Sequence, residues 1–178
     1  MVTEQRLRRW IRAIQRGRRT PDALIDELRR LPFDDLGFAR LDTHRHLRRG
    51  APEVILCDGK TPAQLRRIMS RFVAGRETLV LTRLDPHLYE TIRPSLPALR
   101  YHPIARLASW APRPAPRRGL ALIITGGTSD VPVAEETAVT LEIFGSRTHR
   151  LYDVGVAGVH RLLSQWRLLQ RARVIVVI

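Results

Sequence analysis

The last third of the chain alternates strand-like runs, the first and third of them continuously apolar, with segments of helical spacing, and this alternation constrains the fold more than any other feature. ALIIT (121–125), RTHRLYDV (147–154) and ARVIVVI (172–178) read as strands, and the segments between them as helices. Apolar runs without polar alternation belong to parallel strands buried on both faces. Strand–helix–strand–helix–strand is the first half of a doubly wound α/β domain, in which ligands bind beyond the carboxyl ends of the strands. Two glycine-bearing loops fall at that end: TGGTSD (125–130) after the first strand, and residues 153–160 after the second.

Upstream, APRPAPRRG (111–119) reads as a linker, because its prolines favour extended polyproline II. It divides the sequence into an N-terminal α/β domain (1–111), a Pro/Arg linker (112–118) and a nucleotide-binding α/β domain (119–178). Two helices open the chain. The first runs from about residue 3 to residue 16 and is closed by Gly17; the second starts at Thr20-Pro21 and carries Leu24, Leu28 and Leu31 on one face. FARLD and EVILC read as short strands. Thr61-Pro62-Ala63-Gln64 is a capping box, starting a helix with Leu65, Ile68, Met69, Phe72 and Val73 inward and Gly75 after it. TLVLT is a strand, Asp85-Pro86 caps a further helix to about Arg93, and LRYHPIARLASW gives strand pieces broken at Pro103.

A hydrophobic content of 44% over 178 residues supports a packed core. No segment approaches the roughly 18 apolar residues of a membrane helix, and the basic N-terminus lacks the apolar stretch of a signal peptide. One cysteine, Cys57, excludes an internal disulfide framework and a multi-cysteine metal site. A cytoplasmic location without membrane partners is the expectation. The net charge of +14 is built almost wholly from arginine, since Lys60 is the only lysine. The arginines form no long block and no aromatic-interleaved motif, which predicts only non-specific, salt-sensitive contact with nucleic acid.

Two readings of TGGTSD remain open on the residues alone. In the first, Gly126 and Gly127 relieve the backbone of a turn and Asp130 caps a helix with Pro132 in its first turn and Glu135 and Glu136 near its positive end. In the second, Thr128, Ser129 and the glycine backbone hold a phosphate. Asp130 would repel a dianion and would sooner accept hydrogen bonds from ribose hydroxyls or an amine. The stretch is neither GxGxxG nor a Walker loop. In YDVGVAGVHRL, Gly155 and Gly158 precede His160 and Arg161. His160 is either a solvated surface residue or a proton-transfer group facing Ser129 and Asp130, with Arg161 pairing an anion. Asp42, His44, Arg45 and His46 crowd one segment, which reads as an exposed polar turn before it reads as a metal site. Lys60 either binds an anion or simply precedes the Thr61 cap. Cys57 ends an apolar strand and reads as buried and inert.

TGGTSDVPVAEETA and YDVGVAGVHRL resemble the carboxylases related to the phosphoribosylaminoimidazole carboxylases of purine synthesis. Together with DDLGFARLDTHRHLRRGAPEVILCDGKTP, they resemble more closely the nickel-pincer cofactor carboxylases of the LarB type, from about Phe33 onward. The resemblance implies a small N-terminal α/β domain followed by the first half of a flavodoxin-like, PurE-like sheet with three parallel strands. It implies carboxylation of nicotinic acid adenine dinucleotide and cleavage of its phosphoanhydride, giving pyridinium-3,5-biscarboxylic acid mononucleotide and AMP. The alternatives are an aminoimidazole ribonucleotide carboxylase or mutase, and an arginine-rich nucleic-acid-binding module. Carbon dioxide or bicarbonate is the implied co-substrate, with no tightly bound cofactor and with magnesium admissible beside the phosphates. The implied partners are the nucleotide and further copies of the chain. By the same resemblance the catalytic pair is His160 and Asp130. Gly126, Gly127, Thr128, Ser129, Asp130, Gly155, Gly158, Arg161, Asp42, Arg45 and Lys60 contact substrate, and no residue holds a metal. LarB-type enzymes use a nucleophilic cysteine in their C-terminal half. Cys57 does not match it, so the chain reads as a truncated member with an open sheet edge, poor solubility and no complete turnover.

Overall fold

The computed structural model describes residues 4–29, 33–42, 45 and 50–178. The backbone separates into two compact units, Met1–Glu53 and Val54–Ile178.

The first unit contains helices α1 (Glu4–Gln15) and α2 (Pro21–Arg29) and strands β1 (Phe33–Asp35) and β2 (Arg40–Asp42). α1 ends as its glycine predicts. Gly17 takes φ +66°, its N–H donates to the Ile14 carbonyl (2.9 Å), and the Arg18 N–H donates to the Ala13 carbonyl (2.8 Å). This is the Schellman closure, which satisfies carbonyls that a helix end leaves bare. Trp10 is buried, with the Arg6 and Arg19 guanidiniums each 4.9 Å from the centre of its ring. α2 is capped by Thr20, whose hydroxyl accepts the Ala23 N–H at 3.3 Å. Leu28 stays exposed, because the buried apolar residues described in this unit are only Trp10, Leu36 and Leu41; Leu31 lies outside the described residues. FARLD supplies β2, and the structure adds its antiparallel partner β1, with Phe33 opposite Asp42.

The second unit holds two sheets. The first has the order β3 (Val54–Leu56), β4 (Leu79–Thr82), β6 (Leu107–Trp110) and β5 (Arg100–His102). β3 and β4 are parallel; β4 with β6 and β6 with β5 are antiparallel. α3 (Pro62–Gly75) crosses from β3 to β4 and starts on the predicted capping box. Thr61 Oγ1 accepts the Gln64 N–H (3.3 Å) and Gln64 Oε1 accepts the Thr61 N–H (2.9 Å). Leu65, Ile68, Met69 and Phe72 are buried, and Val73 is half-buried. The helix runs through Gly75, and Arg76, at φ 52°, takes the left-handed closing position expected just there. A Cβ on Gly75 would lie 2.8 Å from Glu77 Oε1, the end of a side chain that can rotate away. Asp85 caps α4 (Pro86–Ile92), its Oδ1 accepting the His87 N–H at 2.9 Å.

The second sheet is parallel throughout, with β7 (Arg118–Ile124) between β8 (Ser146–Leu151) and β9 (Val174–Val177). β7 starts inside the expected linker, with its register shifted between Arg118 and Leu120 and Gly119 at φ +62°. The first strand in the centre, with the second and third on either side, is the opening order of a flavodoxin-like sheet. α5 (Val131–Ile143) covers one face. The other face is covered by α6 (Val159–Leu163) and α7 (Trp166–Arg171), which break at Ser164 the single helix the sequence suggests. α5 serves both sheets. Ala134 and Ala138 pack on Ala121 and Ile123, while Val139 and Ile143 pack with Val80, Ala105 and Leu107. A helix apolar on opposite sides is buried between layers; its acidic residues occupy the remaining flanks. β9 exposes Val174, Ile175 and Val177. Among the described residues, no helix is long and apolar enough to cross a membrane.

Candidate functional site

The loops that follow β7 and β8 meet. Thr125, fully buried, is their knot: its N–H donates to the Leu151 carbonyl, its carbonyl accepts the Val154 N–H, and its Oγ1 accepts the Asp153 N–H, each at 3.1 Å. Gly155 then lies so close to Gly126 that a Cβ on it would stand 2.5 Å from the Gly126 oxygen. The Gly126 N–H donates to the Ile178 carbonyl at 3.1 Å, so the loop also touches the end of β9. The TGGTSD loop therefore sits where the first strand is flanked by the second and third, the switch point at which such sheets take ligands.

Within that loop, residues 128–130 form a single 3-10 turn before α5. Asp130 stands at the N-cap position, but its backbone is helical (φ −87°, ψ −10°) and its carboxylate does not cap α5. The 3-10 turn aims it backward instead. Oδ2 accepts the Gly127 N–H (3.2 Å) and Oδ1 accepts the Ser129 hydroxyl (3.4 Å). A carboxylate therefore already occupies an amide that a phosphate would seek. Gly126, Thr128 and Ser129 are exposed, while Gly127 and Asp130 are half-buried.

In the second loop Asp153 is left-handed (φ 57°), a conformation Asp tolerates better than most residues. Its Oδ2 accepts Nη1 of Arg161 at 2.6 Å. Gly158 makes room for that guanidinium, since a Cβ there would lie 2.5 Å from Arg161 Nε. Arg161 is thus engaged within its own loop, with both partners about half exposed. His160 is exposed in the first turn of α6, and its imidazole makes no hydrogen bond to Ser129, Asp130 or any other described residue. Thr125 and Asp153 are the residues that sequence reasoning missed. The signal for Thr125 was a hydroxyl at the last position of an otherwise apolar run.

The DGKT turn lies at the carboxyl end of β3. The Lys60 N–H donates to the Cys57 carbonyl (3.0 Å) across Gly59 at φ +72°. The Cys57 N–H donates to the Thr82 carbonyl (2.9 Å), and the Thr82 hydroxyl bonds Glu136 in the second turn of α5. Thr82 thereby links the DGKT turn to the helix that carries TGGTSD. Cys57 is buried, and that burial pushes its thiol up to about 12, against the pull of the Lys60 charge. It is not a ready nucleophile. Asp42 and Arg45 belong to the first unit. The Asp42 N–H donates to Glu53 Oε2 at 3.0 Å, and burial holds the Glu53 carboxyl above its ordinary value. His44 and His46 lie outside the described residues. Among the described residues no group of three His, Cys, Asp or Glu is placed to hold a metal ion.

A half-buried polar network braces β8 on α5. Arg150 donates to Glu135 through Nε (2.9 Å) and Nη2 (3.2 Å), and to Glu142 through Nη1 (2.7 Å). The Tyr152 hydroxyl donates to Glu135 Oε1 (2.8 Å), and the Thr148 hydroxyl bonds Glu142. Burial pushes Tyr152 up to about 12, reinforced by the neighbouring Glu135 carboxylate. Burial alone would raise Glu142, but hydrogen bonds from Thr148 and Arg150 outweigh it and hold the carboxyl below its ordinary value. His102 on β5, 3.3 Å from the Ser109 hydroxyl, is lowered by burial and by Arg100.

These shifts set a pH dependence. Folded His102 resists protonation, so the unfolded chain takes up the proton first, and stability falls as pH drops below about 6.5. Folded Glu142 keeps its charge, so its contribution is present above about 4.5 and is lost as pH falls through its depressed folded value. Thermal unfolding from pH 8 to pH 4 is expected to show a two-stage loss, and His102→Gln to remove the upper stage. A flat profile from pH 8 to 5 contradicts the assignment.

Residues 33–112 match the LarB/PurE-like N-terminal domain. This match supports a LarB-like family assignment. An uncharacterized protein of Methanocaldococcus jannaschii, MJ0165, is 33% identical over 132 residues, which are 69% of this chain and 51% of that protein. The chain thus spans about half the length of the curated relative it matches. The matched segment contains Asp42, Arg45 and Lys60, whereas the TGGTSD and YDVGVAGVHRL loops follow it.

Proposed function

We propose that the chain binds nicotinic acid adenine dinucleotide for LarB-type carboxylation, in which the pyridinium ring gains a carboxylate from carbon dioxide or bicarbonate and the phosphoanhydride is hydrolysed to release AMP. The observation that carries this reading is the contact of the two glycine loops, Gly126 against Gly155, at the carboxyl ends of adjacent parallel strands.

The roles follow from chemistry. Asp130, already an acceptor for one N–H and one hydroxyl, suits ribose hydroxyls better than a dianion. The phosphate falls to the exposed Thr128 and Ser129, with Gly155 and Gly158 keeping the second loop close. Arg161 reaches a second phosphate by exchanging Asp153 for it, and exposed His160 moves a proton at the ring or the anhydride. Lys60 neutralises the incoming carboxylate; Asp42 and Arg45, substrate contacts by the resemblance, belong to the first unit. An electron-poor pyridinium needs a nucleophile to add before it can be carboxylated. Cys57 does not suit that step, being buried and held protonated. We therefore assign these residues to binding and proton transfer, not to the covalent step.

Thermal unfolding with each nucleotide tests the reading. Nicotinic acid adenine dinucleotide at about 100 times its Kd is expected to add about 2.7 kcal/mol. Asp130→Asn and Ser129→Ala are expected to reduce that gain. A shift with aminoimidazole ribonucleotide and none with the dinucleotide moves the assignment to the purine-type carboxylases; a response to neither removes it.

A further inference from the structure

We propose that the first unit carries a binding site for clustered phosphates, a di- or triphosphate group, in a hollow along the C-terminal half of α1. It goes beyond the reading above, because α1 precedes the segment shared with the LarB-like family.

The hollow has a volume of about 230 Å³ and is lined by Arg9, Arg12, Ala13, Arg16 and Arg18. The arginines look scattered in the sequence, and the helix gathers them. Arg9, Arg12 and Arg16 recur at spacings of three and four, so they share one face. Gly17 then reverses the chain, and the hydrogen bond from Arg18 to the Ala13 carbonyl returns the fourth arginine to the same face. Ala13 between them is small enough to leave a floor. Of the 21 residues that open the chain, seven are arginine and only Glu4 is acidic. Among the described residues no carboxylate lines the hollow. Arg12 spends one N–H on the Arg8 carbonyl (3.3 Å), and Arg9, Arg16 and Arg18 have no ion pair or hydrogen bond from their side chains among the described residues. Four guanidiniums facing one space repel each other, and an anion between them converts that cost into attraction. Arginine forks fit phosphate oxygens two at a time. Residues 9 to 16 span about 10 Å of helix, which suits two or three linked phosphates better than the six to ten phosphate contacts of a duplex-binding surface.

Calorimetric titration of the full chain with inorganic tripolyphosphate tests this. One-to-one binding is expected, weakened about tenfold or more by Arg12→Ala/Arg16→Ala and by Ala13→Trp, which fills the floor without changing charge. Arg113→Ala/Arg171→Ala removes the same charge from exposed positions elsewhere and is expected to leave the affinity within about twofold. If the alanine pair disturbs α1, Arg12→Lys/Arg16→Lys keeps charge and helix propensity while losing the planar forks, and carries the same expectation. Equal losses in both alanine pairs overturn the site. So does binding of duplex DNA or of phosphatidylserine vesicles with no response to tripolyphosphate.

Discussion

Gly155→Ala is expected to destabilise the chain by about 3 kcal/mol, lowering its melting temperature by about 8 °C, and to abolish nucleotide binding at the paired loops. The reason is distance, not backbone conformation. Gly155 has φ −61° and ψ 167°, which any residue adopts. Its added Cβ would meet the Gly126 oxygen at 2.5 Å, its carbonyl carbon at 3.2 Å and its Cα at 3.4 Å. All three are backbone atoms, so no side-chain rotation relieves the clash. One loop must move, and the hydrogen bonds from Val154 and Asp153 to Thr125 go with it. Hydrogen exchange at the Val154 and Asp153 amides should therefore quicken in the variant. Gly126→Ala is the control for stability, because a Cβ there meets nothing within 4 Å; its cost should stay within about 0.5 kcal/mol. Equal stability of the two variants would mean that the loops do not touch as described.

That asymmetry marks how far the sequence could be read. The apolar runs give the parallel sheet directly; ALII is buried on both faces as such a run predicts, while VIVV, at the sheet edge, stays largely exposed. Thr61 and Asp85 announce their helices because capping is a local matter, settled within four residues. What stayed hidden depends on partners distant in the chain. Asp130 looks like a cap in TGGTSD, and only the 3-10 turn shows that it faces back toward Gly127. Arg161 looks available for an anion until Asp153 turns left-handed and takes it. Glu135 and Glu136 look like helix-dipole partners, yet one meets Arg150 and the other Thr82, 54 residues earlier. The spacing of α1's arginines was plain in the sequence; that Gly17 brings Arg18 onto their face follows from closure geometry that no composition reveals.

Arg150→Ala tests the network that holds β8 against α5. Its guanidinium bridges Glu135 and Glu142, and all three side chains are less than one-third exposed. Removing it leaves two carboxylates facing each other in a half-buried site. A fully buried pair broken this way costs about 3–5 kcal/mol; with partial exposure we expect about 2 kcal/mol and a melting temperature about 6 °C lower. The loss belongs mainly to the unpaired charges, so Arg150→Met combined with Glu135→Gln and Glu142→Gln should recover most of it. The pH dependence should reverse as well. In the parent chain Glu142 sits below its ordinary value and costs stability as pH falls. Without Arg150, burial and the like charge of Glu135 raise the Glu142 carboxyl above its unfolded value. The folded variant then binds protons more readily than the unfolded chain and gains stability as pH falls through that raised range. The gap between parent and variant should narrow from pH 7 to pH 4. A constant gap would show that Arg150 acts by packing its stem, not by its charge.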